Sequence, residues 1–186
     1  MAVTTLDPIT ALIVIDLQKG IVNLPLASDI QGVIENSRLL ADAFRGKGLP
    51  VVLVNANGIA PGRTEQSRMD RSFPPDWTDI IPELDRQPND LLATKQTWGA
   101  FASTDLRQRL EQLGVTQVVI TGVATSIGVE STARQAYEAG FNVTLAIDAM
   151  TDLSSEAHQA SIGLIFPRLG ETGTTKEIIG FLERSS

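Results

Sequence analysis

Three places in the chain set a residue able to do chemistry at the end of an apolar run. Asp16 closes residues 11–16, Ala-Leu-Ile-Val-Ile-Asp; Lys95 closes Leu91–Lys95; and residues 122–128, Gly-Val-Ala-Thr-Ser-Ile-Gly, follow the β-branched run that begins at Val118. A carboxylate at a buried strand end can exchange a proton, and an ammonium can hold an anion or shift its neighbour's ionisation. A turn that opens a helix can aim its first amides at an anion or an oxyanion. Each residue alone has a plainer use: an aspartate can cap a turn, a lysine can end a strand in solvent, and a glycine-containing turn can simply join strand to helix.

These residues need elements that bring them together. Continuous apolar runs at 11–16, Val51–Ala56, Leu91–Lys95, 118–122 and 141–147 read as strands buried on both faces. Between them lie helical patterns. Ile30, Val33, Ile34, Ser37, Leu40, Ala41 and Phe44 trace one face, ending at Gly46 and Gly48. Leu106, Leu110 and Leu113 trace a second, capped by Ser103 or Thr104 and stopped by Gly114. Val129, Thr132, Ala133, Ala136 and Tyr137 trace a third, with Thr125 or Ser126 as the cap. A further helix is expected from Ser154 or Ser155 to about Phe166, and a last one from Thr175 to about Arg184. Residues 18–28 read as a loop, 170–174 as a turn with a helix cap, and 57–89 as a long segment of the kind that covers active sites. Alternating strands and helices predict a three-layer α/β/α sandwich around a mostly parallel, doubly wound sheet, in one domain over residues 1–186. In such a sheet the carboxyl ends of the strands share one rim, so Asp16, Lys95 and residues 122–128 converge.

Composition narrows the chemistry. With 22 acidic against 15 basic residues and a net charge of -7, the chain should avoid nucleic acid and anionic membrane surfaces. No run of ~20 apolar residues is present, and the start lacks a basic leader, so a cytoplasmic protein is expected. Zero cysteines exclude a disulfide, a thiolate metal site and a cysteine nucleophile. No Gly-x-Gly-x-x-Gly follows the first strand, and residues 170–176, Gly-Glu-Thr-Gly-Thr-Thr-Lys, lack the order of a P-loop, so no nucleotide cofactor is expected. The only histidine, His158, is read as a surface or packing residue; with no base beside Ser126 or Ser131, a serine nucleophile is not expected.

Together, Val-Ile-Asp16-Leu-Gln18, Lys95-Gln-Thr-Trp98-Gly-Ala-Phe101, Gly122-Val-Ala-Thr125 and Thr132-Ala133 resemble the isochorismatase-like hydrolase family, and Gly140-Phe-Asn-Val, Asp148-Ala149 and Thr174-Thr175-x-Glu177 extend the likeness over nearly the whole chain. The resemblance implies a site built on Asp16 and Lys95, with Asn57, Trp98 and Phe101 around the substrate, residues Val123, Ala124 and Thr125 lending amides, and a non-proline cis peptide within 122–125. Most members carry a cysteine nucleophile where this chain has Gly128. Isochorismatases proper resemble the chain in having glycine there, and they hydrolyse a vinyl ether by protonation. Residues 123–126, Val-Ala-Thr-Ser, look more like the cysteine-hydrolase branch. Two functions therefore stand: acid-catalysed hydrolysis of a small anionic vinyl ether, releasing pyruvate, or an amidase-branch protein that lost its cysteine and binds a small molecule or partner without turnover. The resemblance also implies a homodimer or larger homo-oligomer. The metal that nicotinamidases of the family hold through an aspartate and several histidines is not expected in a chain with one histidine on a late helix.

Overall fold

Because β1 (Thr10–Ile15), β2 (Val51–Ala56) and β4 (Gln117–Val123) are buried at every position, their sequences carry no polar face and must lie in the middle of a covered sheet. In the computed structural model, which describes residues 2–65 and 73–184, the sheet has six strands in the order β3-β2-β1-β4-β5-β6, all paired in parallel. The others are β3 (Leu91–Lys95), β5 (Asn142–Thr151) and β6 (Glu171–Gly173). The helices are α1 (Lys19–Val22), α2 (Ile30–Gly46), α3 (Leu106–Gln112), α4 (Glu130–Glu138), α5 (Ser155–Ala160), α6 (Phe166–Leu169) and α7 (Thr175–Arg184). Ile13, Ile15 and Val54 pack with Leu106, Ala133 and Phe166 on one face; Leu12, Val14 and Leu53 pack with Val33, Leu40, Phe44 and Ile178 on the other. The sheet thus lies between two helical layers, as the alternation of elements predicts. Strand order reverses between β1 and β4, so the ends of these two strands frame the crevice where doubly wound sheets hold ligands.

Helix α2 shows how the layers are held. Asp29 accepts the Gln31 amide at 3.1 Å as its cap, and Val33, Ile34, Ser37, Leu40, Ala41 and Phe44 form the buried stripe. Leu40 and Phe44 are fully buried, each contributing roughly 1.5–3 kcal/mol of burial. The helix gives way to Gly48 at φ 67.

Six expectations need correction. Leu113 is exposed because α3 ends at Gln112, and Tyr137, in the last turn of α4, is exposed as well. The segment 18–28 contains the single turn α1. Strand β5 does not end near Asp148: its register with β4 jumps between Ile120↔Leu145 and Gly122↔Met150, and the bulged residues let the strand run on to Thr151. Within the bulge, Asp148 Oδ1 accepts the Thr175 amide at 2.7 Å and fixes the start of α7. The helix expected to stop near Phe166 continues to Leu169 through a wide turn at Ser161–Ile165. Finally, Glu171–Gly173 is an edge strand paired with Thr144–Ala146 of β5, followed by a reciprocal Thr174/Glu177 cap on α7. In the long segment 57–89, residues 66–72 lie outside the described residues. Among the described residues, no helix is long and apolar enough to cross a membrane.

Candidate active site

The sheet brings the ends of β1, β3 and β4 to one rim. Asp16 follows β1 with φ 54, a left-handed conformation that aspartate tolerates better than most side chains and that turns its carboxylate out of the strand's alternation. Lys95 ends β3, two strands away, and its Nζ lies 2.7 Å from Asp16 Oδ2 and 3.2 Å from the Thr97 carbonyl. Both side chains are buried: Asp16 is 5% exposed and Lys95 2%. Asp16 Oδ1 is buried with no hydrogen-bond partner.

Two opposed effects act on the Asp16 carboxyl. Burial penalises the charged form, while the Lys95 charge and hydrogen bond favour it; burial is the larger, and the pKa is pushed up to about 6. A buried carboxylate with a cation at 2.7 Å would ordinarily stay ionised. Here the lysine satisfies one oxygen only, and the other faces no donor.

Gly122 and Gly128 let the end of β4 close on this pair. Gly122 sits at φ 114, and a Cβ there would come 2.0 Å from the Ile15 carbonyl oxygen, so no other residue allows the approach of the two strands. The Val123–Ala124 peptide is cis. Residues Thr125–Val129 form a wide turn, with the Val129 amide bonded to the Ala124 carbonyl at 3.1 Å, before α4 begins. At Gly128 a Cβ would lie 2.9 Å from Ile15 Cγ2 and 3.2 Å from both Asp16 Oδ2 and the Val123 carbonyl. The glycine is thus packed against the aspartate, and the space for a side chain is already taken.

The remaining expected residues are placed as follows. Val123, Ala124 and Thr125 lie in the turn itself. Asn57 donates its amide to the Lys95 carbonyl at 3.0 Å, with its side chain exposed. Trp98 is 55% exposed beside that strand end. Phe101 turns toward the core, its ring centroid 6.0 Å from that of Phe141. Gln18 is fully buried and clamps β2 to the 73–79 loop, accepting the Ala56 amide at 2.7 Å and donating to the Ala56 and Trp77 carbonyls.

Thr125 and Ser126 do not cap the helix as expected. The Thr125 hydroxyl lies 2.8 Å from His158 Nδ1, and the Ser126 amide donates to Asp152 Oδ2 at 2.6 Å. His158, read from the sequence as a surface or packing residue, is half-buried against the turn, and Asp152 is buried. Neither could be found by local pattern, since their partners lie 33 and 26 residues earlier. Asp152 carried one usable signal: it precedes the Ser154 cap of α5, and its Oδ1 accepts the amides of Leu153 and Ser154. Among the described residues, no group of three or more His, Asp or Glu side chains is gathered at metal-holding distance.

Comparison with known proteins agrees with this architecture. The Isochorismatase domain family profile matches residues 10–177. The uncharacterized isochorismatase family protein YwoC of Bacillus subtilis is 39% identical over 177 residues, spanning 91% of this chain and 92% of that one. The structure of an isochorismatase family protein from Burkholderia thailandensis superposes with a TM-score of 0.92 at 40% identity, covering 96% of this chain and 98% of that one. Nicotinamidase 3 of Arabidopsis thaliana is 29% identical over 168 residues, 83% of this chain and 79% of that one. A family match over nearly the whole length, on a six-stranded parallel sheet, makes the chain a member of the isochorismatase family of hydrolases.

Proposed function

We propose that the protein hydrolyses a small anionic vinyl ether, isochorismate or a close analogue, by protonation and without a nucleophile of its own. The observation that carries this reading is the Asp16 carboxyl, buried, raised to about 6 and bare at Oδ1, with glycine packed beside it. About a tenth of such carboxyls hold a proton at pH 7, and an anionic substrate that displaces water raises that fraction. Asp16 Oδ1 gives its proton to the terminal methylene carbon of the enol ether. The adjacent ether carbon becomes cationic, and water adds to it while returning a proton to Asp16. The resulting hemiketal collapses as Asp16 returns that proton to the ether oxygen carried by the ring: the C–O bond to it breaks, the hemiketal hydroxyl gives up its proton to Asp16 or water, and pyruvate and a dihydroxy-diene acid are left. Lys95 and the amides of Ala124 and Thr125 hold substrate carboxylates, those of Ser126 and Ile127 being bonded to Asp152 and to the Ala124 carbonyl, so that orientation supplies the part of the rate that one general acid does not.

The similarity to Nicotinamidase 3 supports a second reading, an amidase site that has lost its thiol. A site that had merely lost a side chain would keep room for it, whereas Ile15 Cγ2 stands 2.9 Å from the Cβ position of residue 128. That crowding favours the first reading. The two separate in one experiment: wild type and Gly128→Cys are each given isochorismate, with pyruvate followed by a coupled dehydrogenase, and nicotinamide, with ammonia followed. The first reading expects pyruvate from wild type and less from the variant. No pyruvate from wild type, with ammonia released by Gly128→Cys, would leave the second.

A further inference from the structure

We propose that His158 and Asp152 are positioning residues for Asp16: from the β5–α5 connection they hold the wide turn Thr125–Val129 in the place where Gly128 closes over the carboxylate. Two adjacent residues of the turn are each tied to one of these side chains, Thr125 to His158 Nδ1 at 2.8 Å and the Ser126 amide to Asp152 Oδ2 at 2.6 Å.

The turn needs such ties. Its i→i+5 bond from Val129 to Ala124 encloses more backbone than an α-helical turn and fixes it less closely, so outside partners decide its position. Thr125 is fully buried, and a buried hydroxyl left without a partner is costly. His158 can be that partner as an acceptor only while its ring is neutral. Burial pushes its pKa below the ordinary value, against the opposing charge of Asp152, so the neutral ring is favoured, and Nδ1 and the Thr125 hydroxyl share one hydrogen bond whose donor is set by the ring tautomer. Asp152 is itself held by the Leu153 and Ser154 amides, the two residues that lead into α5, the same helix that carries His158. One rigid element therefore supplies both ties. At the far end of the turn, the Cβ direction of Gly128 points within 3.2 Å of Asp16 Oδ2, so any outward shift of the turn opens Asp16 to water and removes the burial that raises its pKa.

The consequence for turnover rests on the proposed function, but the decisive test does not. The Asp16 carboxyl is titrated by carbon NMR in wild type, Thr125→Val, Thr125→Ser, His158→Ala and His158→Asn; the single histidine lets ring nitrogen shifts report directly whether the Thr125 bond is broken. Thr125→Val and His158→Ala should each lower the Asp16 midpoint by about one unit toward the ordinary carboxylate value, while Thr125→Ser and His158→Asn, which keep a hydroxyl and a nearby acceptor, should stay close to wild type. An unchanged midpoint in Thr125→Val, with the histidine signal showing the bond lost, overturns the proposal. Should His158→Ala fail to fold, Thr125→Val decides alone. A lowered midpoint with undiminished hydrolysis would keep the positioning role and reject Asp16 as the acid.

Discussion

Strand β3 has a carboxylate–cation pair at each end, and the two have the same length. Just before its start Asp90 meets Arg45 at 2.7 Å; at its end Lys95 meets Asp16 at 2.7 Å. They differ in what is left over. Arg45 reaches both Asp90 oxygens, Nε to Oδ1 at 3.2 Å and its terminal nitrogen to Oδ2 at 2.7 Å, and the Gln87 amide adds a third bond at 2.8 Å. Lys95, a point charge rather than a fork, serves only Oδ2 of Asp16 and leaves Oδ1 bare. The cations differ in burial too, Arg45 keeping 15% of its side chain exposed against 3% for Lys95; deep burial with an incomplete set of donors leaves Asp16 a carboxyl that can take up and give away a proton. The ion pair alone therefore does not mark the site. The unfilled oxygen does.

The largest expected contrast is in turnover. Asp16→Asn should cost about a hundred- to ten-thousand-fold in pyruvate release while circular dichroism shows an intact fold, and Asp90→Asn should leave release within a few-fold of wild type. Equal losses in the two variants would erase the distinction. Stability should move the other way: Asp90→Asn strands Arg45 and should lower unfolding free energy by on the order of 2–3 kcal/mol in urea titrations, softened because Arg45 also bonds Asp42 and the Leu84 carbonyl.

A smaller effect is expected from Gly128→Ala. Its methyl meets Ile15 Cγ2 at 2.9 Å, so thermal unfolding should show a loss of about 1–3 kcal/mol, with turnover reduced because Asp16 Oδ2 must shift. No change in either quantity would mean that the turn does not pack on Asp16 as described.

The last contrast is the pH dependence of stability. The Asp16 pKa rises from 3.8 to about 6 on folding, so between those values the folded state holds more protons than the unfolded. Its favourable contribution is fully present below about pH 4, and is lost as pH rises to about 6. The stability of wild type relative to Asp16→Asn should thus fall by about 3 kcal/mol across that window and be flat above it, measured by denaturant titration. A relative stability that rises with pH there would place Asp16 among ordinary ion-paired carboxylates.

What could be read from the sequence follows from how locally each feature is encoded. Asp16 and Lys95 announce themselves because each breaks an apolar run at its carboxyl end, and parallel topology then brings such ends together. Gly128 acquires meaning only through the family resemblance; that its Cβ position is filled by Ile15 depends on packing between two strands and has no sequence signal. Strand β6 is three residues of Glu, Thr and Gly at a sheet edge, too short and polar to show a period. Leu113 and Tyr137 continue their helical stripes by spacing, yet both lie at the far ends of their helices and are exposed. His158 shows the limit most sharply, since one histidine on a polar helix says nothing about the buried threonine it meets.

The proposed reaction protonates carbon and lets water attack the ether carbon, with no covalent intermediate. Incubating wild type with isochorismate in water labelled with oxygen-18 and deuterium, and examining both products by mass spectrometry, separates it from attack elsewhere. The expected result is pyruvate bearing one new deuterium in its methyl group and a ring hydroxyl that retains its original oxygen. Labelled oxygen in the ring hydroxyl would place the attack at the ring carbon and contradict it.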